Sequence, residues 1–290
     1  MRTTLFTVLA LLGFAANSLL CRAALAGGGR FIDAASFTGV RLVSGALMLG
    51  LLLRLRGGRY QGGSWGSALA LFTYAAGFSL AYMRIPAGVG ALLLFGCVQA
   101  TMLGTGLVRG ERPRPLEWAG LLLALGGLVG LAAPGATAPD FVGAALMAGA
   151  GVAWGVYSLR GRGSTHPLAA TAQNFLLSVP LALALSAVST ALQSAPHATP
   201  RGVVLAIASG ALASGVGYSL WYAALPHLTA TRAAIIQLSV PVLAATGGVL
   251  LLGEQLTVRL VGAGTALLCG VLLALAARWR KSIETAKGHR

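Results

Sequence analysis

Residues 77–82 read GFSLAY, and residues 217–222 read GYSLWY. Further along, LVRGER at 107–112 is answered by LLLGEQ at 250–255, each closing a long apolar run. The separations are 140 and 143 residues, so the two blocks agree in order and, apart from a three-residue insertion, in spacing. The chain therefore carries one pattern twice. Five apolar runs fall in each copy, and an odd number sends the second copy into a membrane from the opposite side. That arrangement is an inverted repeat, which secondary transporters use to alternate access.

The runs themselves follow from composition. Of 290 residues, 57% are hydrophobic and 9% charged, with 41 glycines and a mean hydropathy of +0.81. A soluble domain carries about 25% charged residues, and six acidic and 21 basic side chains cannot cover a soluble surface of this size. Lipid is the solvent for most of the chain. At about 20 apolar residues per crossing, ten spans are expected: 3–25, 33–55, 65–83, 86–108, 115–133, 139–159, 168–190, 201–223, 229–252 and 256–277. The fold class is thus an all-α polytopic membrane protein of ten transmembrane helices in two inverted five-helix repeats. The first repeat covers 1–134, the second 139–277, and 278–290 is a basic tail. Arg2 and the apolar run after it look like a secretion signal. However, the run is too long, Asn17 and Arg22 interrupt the cleavage region, and Leu20 before Cys21 is not the small residue a lipoprotein signal needs. It reads as the first span.

The net charge of +15 sets an orientation rather than a nucleic-acid partner, because the basic residues sit singly or in small groups between apolar runs. With the N-terminus in the cytoplasm, inside segments hold fourteen: Arg2, Arg54, Arg56, Arg59, Arg109, Arg112, Arg114, Arg160, Arg162, Arg278, Arg280, Lys281, Lys287 and Arg290. Outside segments hold four, namely Arg30, Arg84, Arg201 and Arg259. Both termini are expected in the cytoplasm.

The second half, from YSLWYAALPHLTATRAA at 218 through LLGEQLTVRLVGAGTALLCGVLLAL to 275, resembles the EamA repeat of the drug/metabolite transporter (DMT) superfamily. The recurring elements are the small-residue stretch Thr229 to Ala234, the mid-span Pro241 and the closing Leu252-Gly253-Glu254. In the first half the corresponding marks are Arg41 in VRLVSGALML and the pair Gly110-Glu111, while Val98 stands where the second half has Pro241. In length and pattern the chain is similar to YddG-type exporters of aromatic and other neutral amino acids. The resemblance implies a bacterial inner-membrane protein that exports amino acids by alternating access. A drug, sugar or nucleobase exporter, and an amino-acid-binding receptor or scaffold without flux, are the alternatives.

Polar groups inside lipid are costly and each invites a functional reading. Gly13, Asn17 and Cys21 share one face of the first span; Asn17 there bonds either a solute or another helix. Tyr74, Phe78 and Tyr82 form a stripe on the third span, answered by Tyr218 and Trp221 (with Tyr222) on the eighth and by Trp154 and Tyr157 on the sixth. If the repeats face each other, these rings wall one cavity suited to flat or apolar side chains. Tyr82 and Tyr222 also fit an interfacial belt. Gln99, Asn174 and Gln237 offer amides to an α-amino or α-carboxyl group, or serve as glue between helices. Arg41 lies too deep for comfort and reads as structural or gating, with anion binding as the other role. Pro180 and Pro241 are hinges or fixed kinks.

The acids Asp33, Glu111, Glu117, Asp140 and Glu254 fall at span ends and Glu284 in the tail, so no buried carboxylate relay is visible. Proton exchange and facilitated export stay open. The histidines (His166, His197, His227 and His289) are in loops or the tail, and Cys21, Cys97 and Cys269 lie apart in apolar runs, so no metal site and no cofactor are expected. With both lysines in the tail, the phosphate-binding GxxxxGK loop is absent, and no nucleophile–base pair points to an enzyme. The expected partners are a small solute and the lipid bilayer, without nucleic acid; a monomer is compatible with all of this.

Overall fold

The computed structural model describes residues 2–26, 30–108, 110, 115–133, 135, 138–162, 164–192, 196–228, 233 and 236–288, with backbone alone at 275 and 277–288. Among these, ten helical segments alternate in direction. They are α1 (Arg2–Leu25), α2 (Ala34–Leu55), α3 (Trp65–Tyr82), α4 (Ala87–Val108), α5 (Pro115–Ala132), α6 (Phe141–Gly161), α7 (Pro167–Leu192), α8 (Pro200–His227), α9 (Ser239–Leu252) and α10 (Val258–Gly288). Seven are long and apolar enough to cross a bilayer; Ser239–Leu252 and Val258–Ala274 are shorter apolar stretches. Most starts fall within a few residues of the sequence reading, whereas α9 as described begins at Ser239 rather than 229 and α10 continues past 277. Asp33, Ser64, Asp140 and Thr199 each accept a backbone N–H three residues on, capping α2, α3, α6 and α8. The tenth helix runs on through 288, so the basic tail extends α10. The motif stretch Thr229–Arg232 and Ala234, the loop residues Arg109, Glu111, Arg112 and Arg114, and His289 and Arg290 lie outside the described residues.

Packing reveals the repeat directly. Helix α1 packs on α8 and α9, and α6 packs on α3 and α4. Likewise α2 meets α8 while α7 meets α3, and the pairs α2–α7, α4–α9 and α5–α10 close the set. Exchanging each helix with the one five places along maps these contacts onto themselves. Polar ties repeat too: Thr38 of α2 donates to Ser79 of α3 at 2.9 Å, and Thr171 of α7 to Tyr222 of α8 at 3.1 Å. Small residues set the close pairs, as lipid requires when no hydrophobic force separates helix from tail. A Cβ at Gly210 of α8 would strike the carbonyl oxygen of Arg41 on α2. Large apolar side chains such as Leu47, Leu122, Leu183 and Leu250 point outward, which only a lipid surround tolerates in such number.

In α8 the stretch Ala208–Val216 is a π-helix. Its i→i+5 bonding places more residues in each turn, so α8 takes 28 residues where its counterpart α3 has 18. The sequence pattern gives no sign of it: ASGALASGV reads as ordinary close-packing helix.

Candidate solute site at the centre of the bundle

Six segments converge midway through the bundle. Phe14, Asn17 and Ser18 (α1), Tyr74 and Phe78 (α3), Leu94 and Phe95 (α4), Trp154 (α6), Ala213, Ser214 and Tyr218 (α8), and Gln237 just before α9 line one cavity. Every helix in the set has its repeat partner there. The cavity measures about 30 Å³, room for one or two waters at roughly 10–15 Å³ each and too little for an amino acid. The side chains at the centre are packed against one another without room for a solute of that size.

The rings form a continuous wall. Trp154 lies 4.8 Å from Tyr74 and 5.5 Å from Tyr218, centroid to centroid, and stacks on Tyr157 at 5.2 Å. Phe78 meets Tyr74 at 5.3 Å and Tyr82 edge-on at 4.7 Å, while Phe14 meets Tyr218 at 5.6 Å. The helix spacing of four residues aligns Tyr74, Phe78 and Tyr82 on one face, and α6 and α8 bring the remaining rings to it from the other repeat.

Of the residues singled out by sequence, Asn17, Tyr74, Phe78, Trp154, Tyr218 and Gln237 meet at this cavity. Tyr157 is buried behind Trp154, bonded to Thr171. Trp221 is buried edge-on against Phe14 without lining the cavity. Tyr82 is buried too, donating to Ala87 O at 3.3 Å. Gln99 is half-buried on α4 away from the cavity. Asn174 accepts from Ser64 N at 2.9 Å and ties the α2–α3 loop to α7. Pro180 sits inside α7, whereas Pro241 stands in the first turn of α9 as described, where a missing N–H breaks no bond. Phe14, Phe95 and Phe175 escaped the sequence reading because each is a lone ring among Leu and Ala.

Polar contacts at the centre run through one hydroxyl. Asn17 Nδ2 donates to Tyr74 Oη at 3.3 Å, and Arg41 Nη2 donates to the same oxygen at 3.0 Å. Ser209, in the π stretch, donates to Asn17 Oδ1 at 2.6 Å. Arg41 is 1% exposed, and its Nε and Nη1 find no acceptor among the described residues. Its guanidinium carbon lies 5.2 Å from the Tyr74 ring and 4.9 Å from the Phe78 ring. Such ring contacts return about 2 kcal/mol when desolvated. Removing a cation from water costs several kcal/mol, so the rings alone leave the charge undercompensated.

Both ends of the bundle are shut. At the end holding the α9–α10 turn, Gly253 at φ +66 ends α9 and aims Glu254 back across the bundle. Glu254 accepts from Arg22 Nε at 3.0 Å and from Ala87 N at 2.8 Å, while Arg22 Nη1 donates to Tyr82 O. Gly110, closing the corresponding run of the first half, is left-handed as well, at φ +84. At the same end the 31–33 and 197–199 segments pair through Thr199 N to Phe31 O and Asp33 N to His197 O. At the opposite end Arg160 reaches Ser67 and Ser64 of α3, and Arg56 reaches Ser219 of α8.

Comparison with known proteins agrees with this architecture. The model of the EamA-like transporter family matches residues 141–276, the whole of α6 to α9 and most of α10. The chain belongs to the EamA-like transporter family. The uncharacterized protein PA1977 of Pseudomonas aeruginosa is 54% identical over 279 residues, 96% of each chain. The threonine/homoserine exporter RhtA of Salmonella typhimurium is 32% identical over 203 residues, 68% of this chain and 64% of the exporter. RhtA of Escherichia coli K12 is 29% identical over 214 residues, 71% of this chain and 69% of its own. A solved crystal structure shares the fold, with a TM-score of 0.67 at 20% identity over 95% of this chain and 97% of that one. As an EamA-like protein the chain is a multi-pass membrane transporter of small solutes rather than an enzyme.

Proposed function

We propose that this EamA-like transporter exports amino acids, aromatic and other neutral ones, across the bacterial inner membrane by alternating access. The observation that carries the reading is the central cavity, walled by rings from both repeats and closed at both ends. Asn17 and Gln237 add uncharged amides to that wall, suited to orienting a zwitterion without attracting a net charge. Threonine and homoserine export by the RhtA relatives supports the same solute class. The division at 134/139, with each half a functional repeat and both termini in the cytoplasm, belongs to this proposal; the basic residues of the loops support that orientation. Alternate opening then requires α1, α8 and α9 to rock against α3, α4 and α6, with Pro180 a candidate hinge.

Counterflow of labelled threonine and phenylalanine into proteoliposomes, with and without a pH gradient, tests this reading. Flux of either is expected, and none for any amino acid overturns it. Trp154→Ala is expected to lower flux about tenfold, through the loss of a half-buried ring that contacts Tyr74, Tyr157 and Tyr218. Trp65→Ala, 59% exposed at the start of α3, is expected to stay within about twofold. Equal losses place the solute away from the ring wall.

A further inference from the structure

Donors from three helices converge around the Tyr74 hydroxyl, and part of the Arg41 guanidinium is left over. A tyrosine hydroxyl has two acceptor lone pairs, and Arg41 Nη2 and Asn17 Nδ2 occupy both of those on Tyr74. With both lone pairs taken, the Tyr74 hydroxyl keeps its proton to donate. Ser209 occupies Asn17 Oδ1. Arg41 keeps two nitrogens, Nε and Nη1, without an acceptor while almost wholly buried.

Charge shows the same imbalance. Asp33 caps α2 and accepts from His197 N, Asp140 caps α6 beside Arg84, and Glu254 holds Arg22 and Ala87 N. Glu117 is in the first turn of α5. Among the described side chains, then, every carboxylate belongs to a helix end, and none faces the guanidinium on α2. Arg41 lies about 10 Å into that helix, at 1.5 Å per residue from Ala34.

We infer that Arg41 anchors the carboxylate of the transported solute, an inference that rests on the central cavity being an amino-acid site. A carboxylate is planar, offers two acceptor oxygens and carries the missing negative charge, and it matches the guanidinium fork two bonds at a time. Tyr74 is the switch between the states. Its ring and that of Phe78 both line the cavity and both contact the guanidinium, and its hydroxyl takes one N–H that the carboxylate claims on binding. A turn of Tyr74 away from Arg41 opens the fork to the cavity, and the freed Tyr74 proton donates to the same carboxylate. Recognition of the acid group then needs no acidic side chain in the membrane, in keeping with the placement of every acid in the sequence at a span end or in the tail.

The test compares a solute with and without its acid group. Binding of L-phenylalanine and of phenylalaninamide to the purified full chain is read as a shift in thermal unfolding, in buffers of low and of high chloride. The wild type is expected to bind the acid at least tenfold more tightly than the amide. Arg41→Gln is expected to bring the acid down to the affinity of the amide, with the amide itself changed less than twofold. Should Arg41→Gln fail to fold, Arg41→Lys keeps the charge but loses the fork, and a roughly tenfold loss for the acid alone is expected. Equal losses for acid and amide assign Arg41 a structural role and overturn the inference. A chloride dependence that replaces the carboxylate effect shows an inorganic anion on Arg41 and overturns it as well. If the wild type binds neither compound, the amino-acid reading of the cavity fails, and the anchor with it.

Discussion

The two ends of the bundle are shut by different chemistry, although the repeat relates one to the other. At the Glu254 end a single carboxylate gathers Arg22 from α1 and the first N–H of α4, and Arg22 goes on to Tyr82 O at the end of α3. Both side chains are mostly buried, at 20% and 12% exposed. At the Ser64 end the ties around α3 and α7 run to hydroxyl and amide oxygens. Asn174 and Gln173 accept backbone N–H groups of the α2–α3 loop, and Arg160 and Arg56 end on serine hydroxyls. Hydrogen bonds to charged groups contribute about 1.5–3 kcal/mol each, neutral ones about 0.5–1.5. Ions act at both ends, but Arg56 and Arg160 are exposed to water whereas Arg22 and Glu254 are mostly buried, so we propose that the Ser64 end is the weaker closure and opens first. In the proposed orientation that end faces the cytoplasm, the side from which the proposed exporter collects its solute.

The largest effect is expected from breaking the stronger closure. Glu254→Ala removes the acceptor of Arg22 and of Ala87 N together, at a cost of about 3 kcal/mol, read as lowered thermal stability in detergent. Glu254→Gln keeps an acceptor for Ala87 N and is expected to cost about half as much. The buried Cys21, next to Arg22 on α1, reports the opening. With Cys97 and Cys269 replaced by Ala, its alkylation is expected to rise about tenfold in Glu254→Ala. Unchanged protection of Cys21 means that something other than the ion pair shuts this end.

Ten spans were legible because length and apolarity set them; the capping residues that fix the starts of α2, α3, α6 and α8 played no part in that reading. The repeat was legible from two six-residue blocks, and the packing of α1 to α10 follows its symmetry. Much less of the centre could be read. Helical spacing told which side of α3 carries Tyr74 and Phe78, but not which helix faces that side; this is why Asn174, as polar as Asn17, turned out to hold a loop. Pairs such as Arg22 with Glu254 are 232 residues apart, and the sequence places both at span ends without joining them. The π stretch of α8 is invisible because its small residues suit an α-helix equally well.

A smaller effect is expected at the weaker closure. Asn174→Ala leaves Ser64 N without its acceptor at the edge of the bundle, where water replaces it in part, so about 1 kcal/mol is expected. Ala68, fully buried one turn into α3, is the reporter here. In a chain with the three native cysteines replaced by Ala, alkylation of Ala68→Cys is expected to rise about fivefold with Asn174→Ala. The smallest effect belongs to Arg160→Ala. Its side chain is exposed, its bonds to Ser67 and Ser64 compete with water, and about 0.5 kcal/mol or less is at stake. Thermal stability should stay within a degree or two, and Ala68→Cys labelling should rise no more than about twofold. The contrast between the ends depends on this ordering. If Arg160→Ala opened the Ser64 end as far as Asn174→Ala does, a guanidinium would be holding both ends, and the unequal strength of the two closures would have to be sought elsewhere.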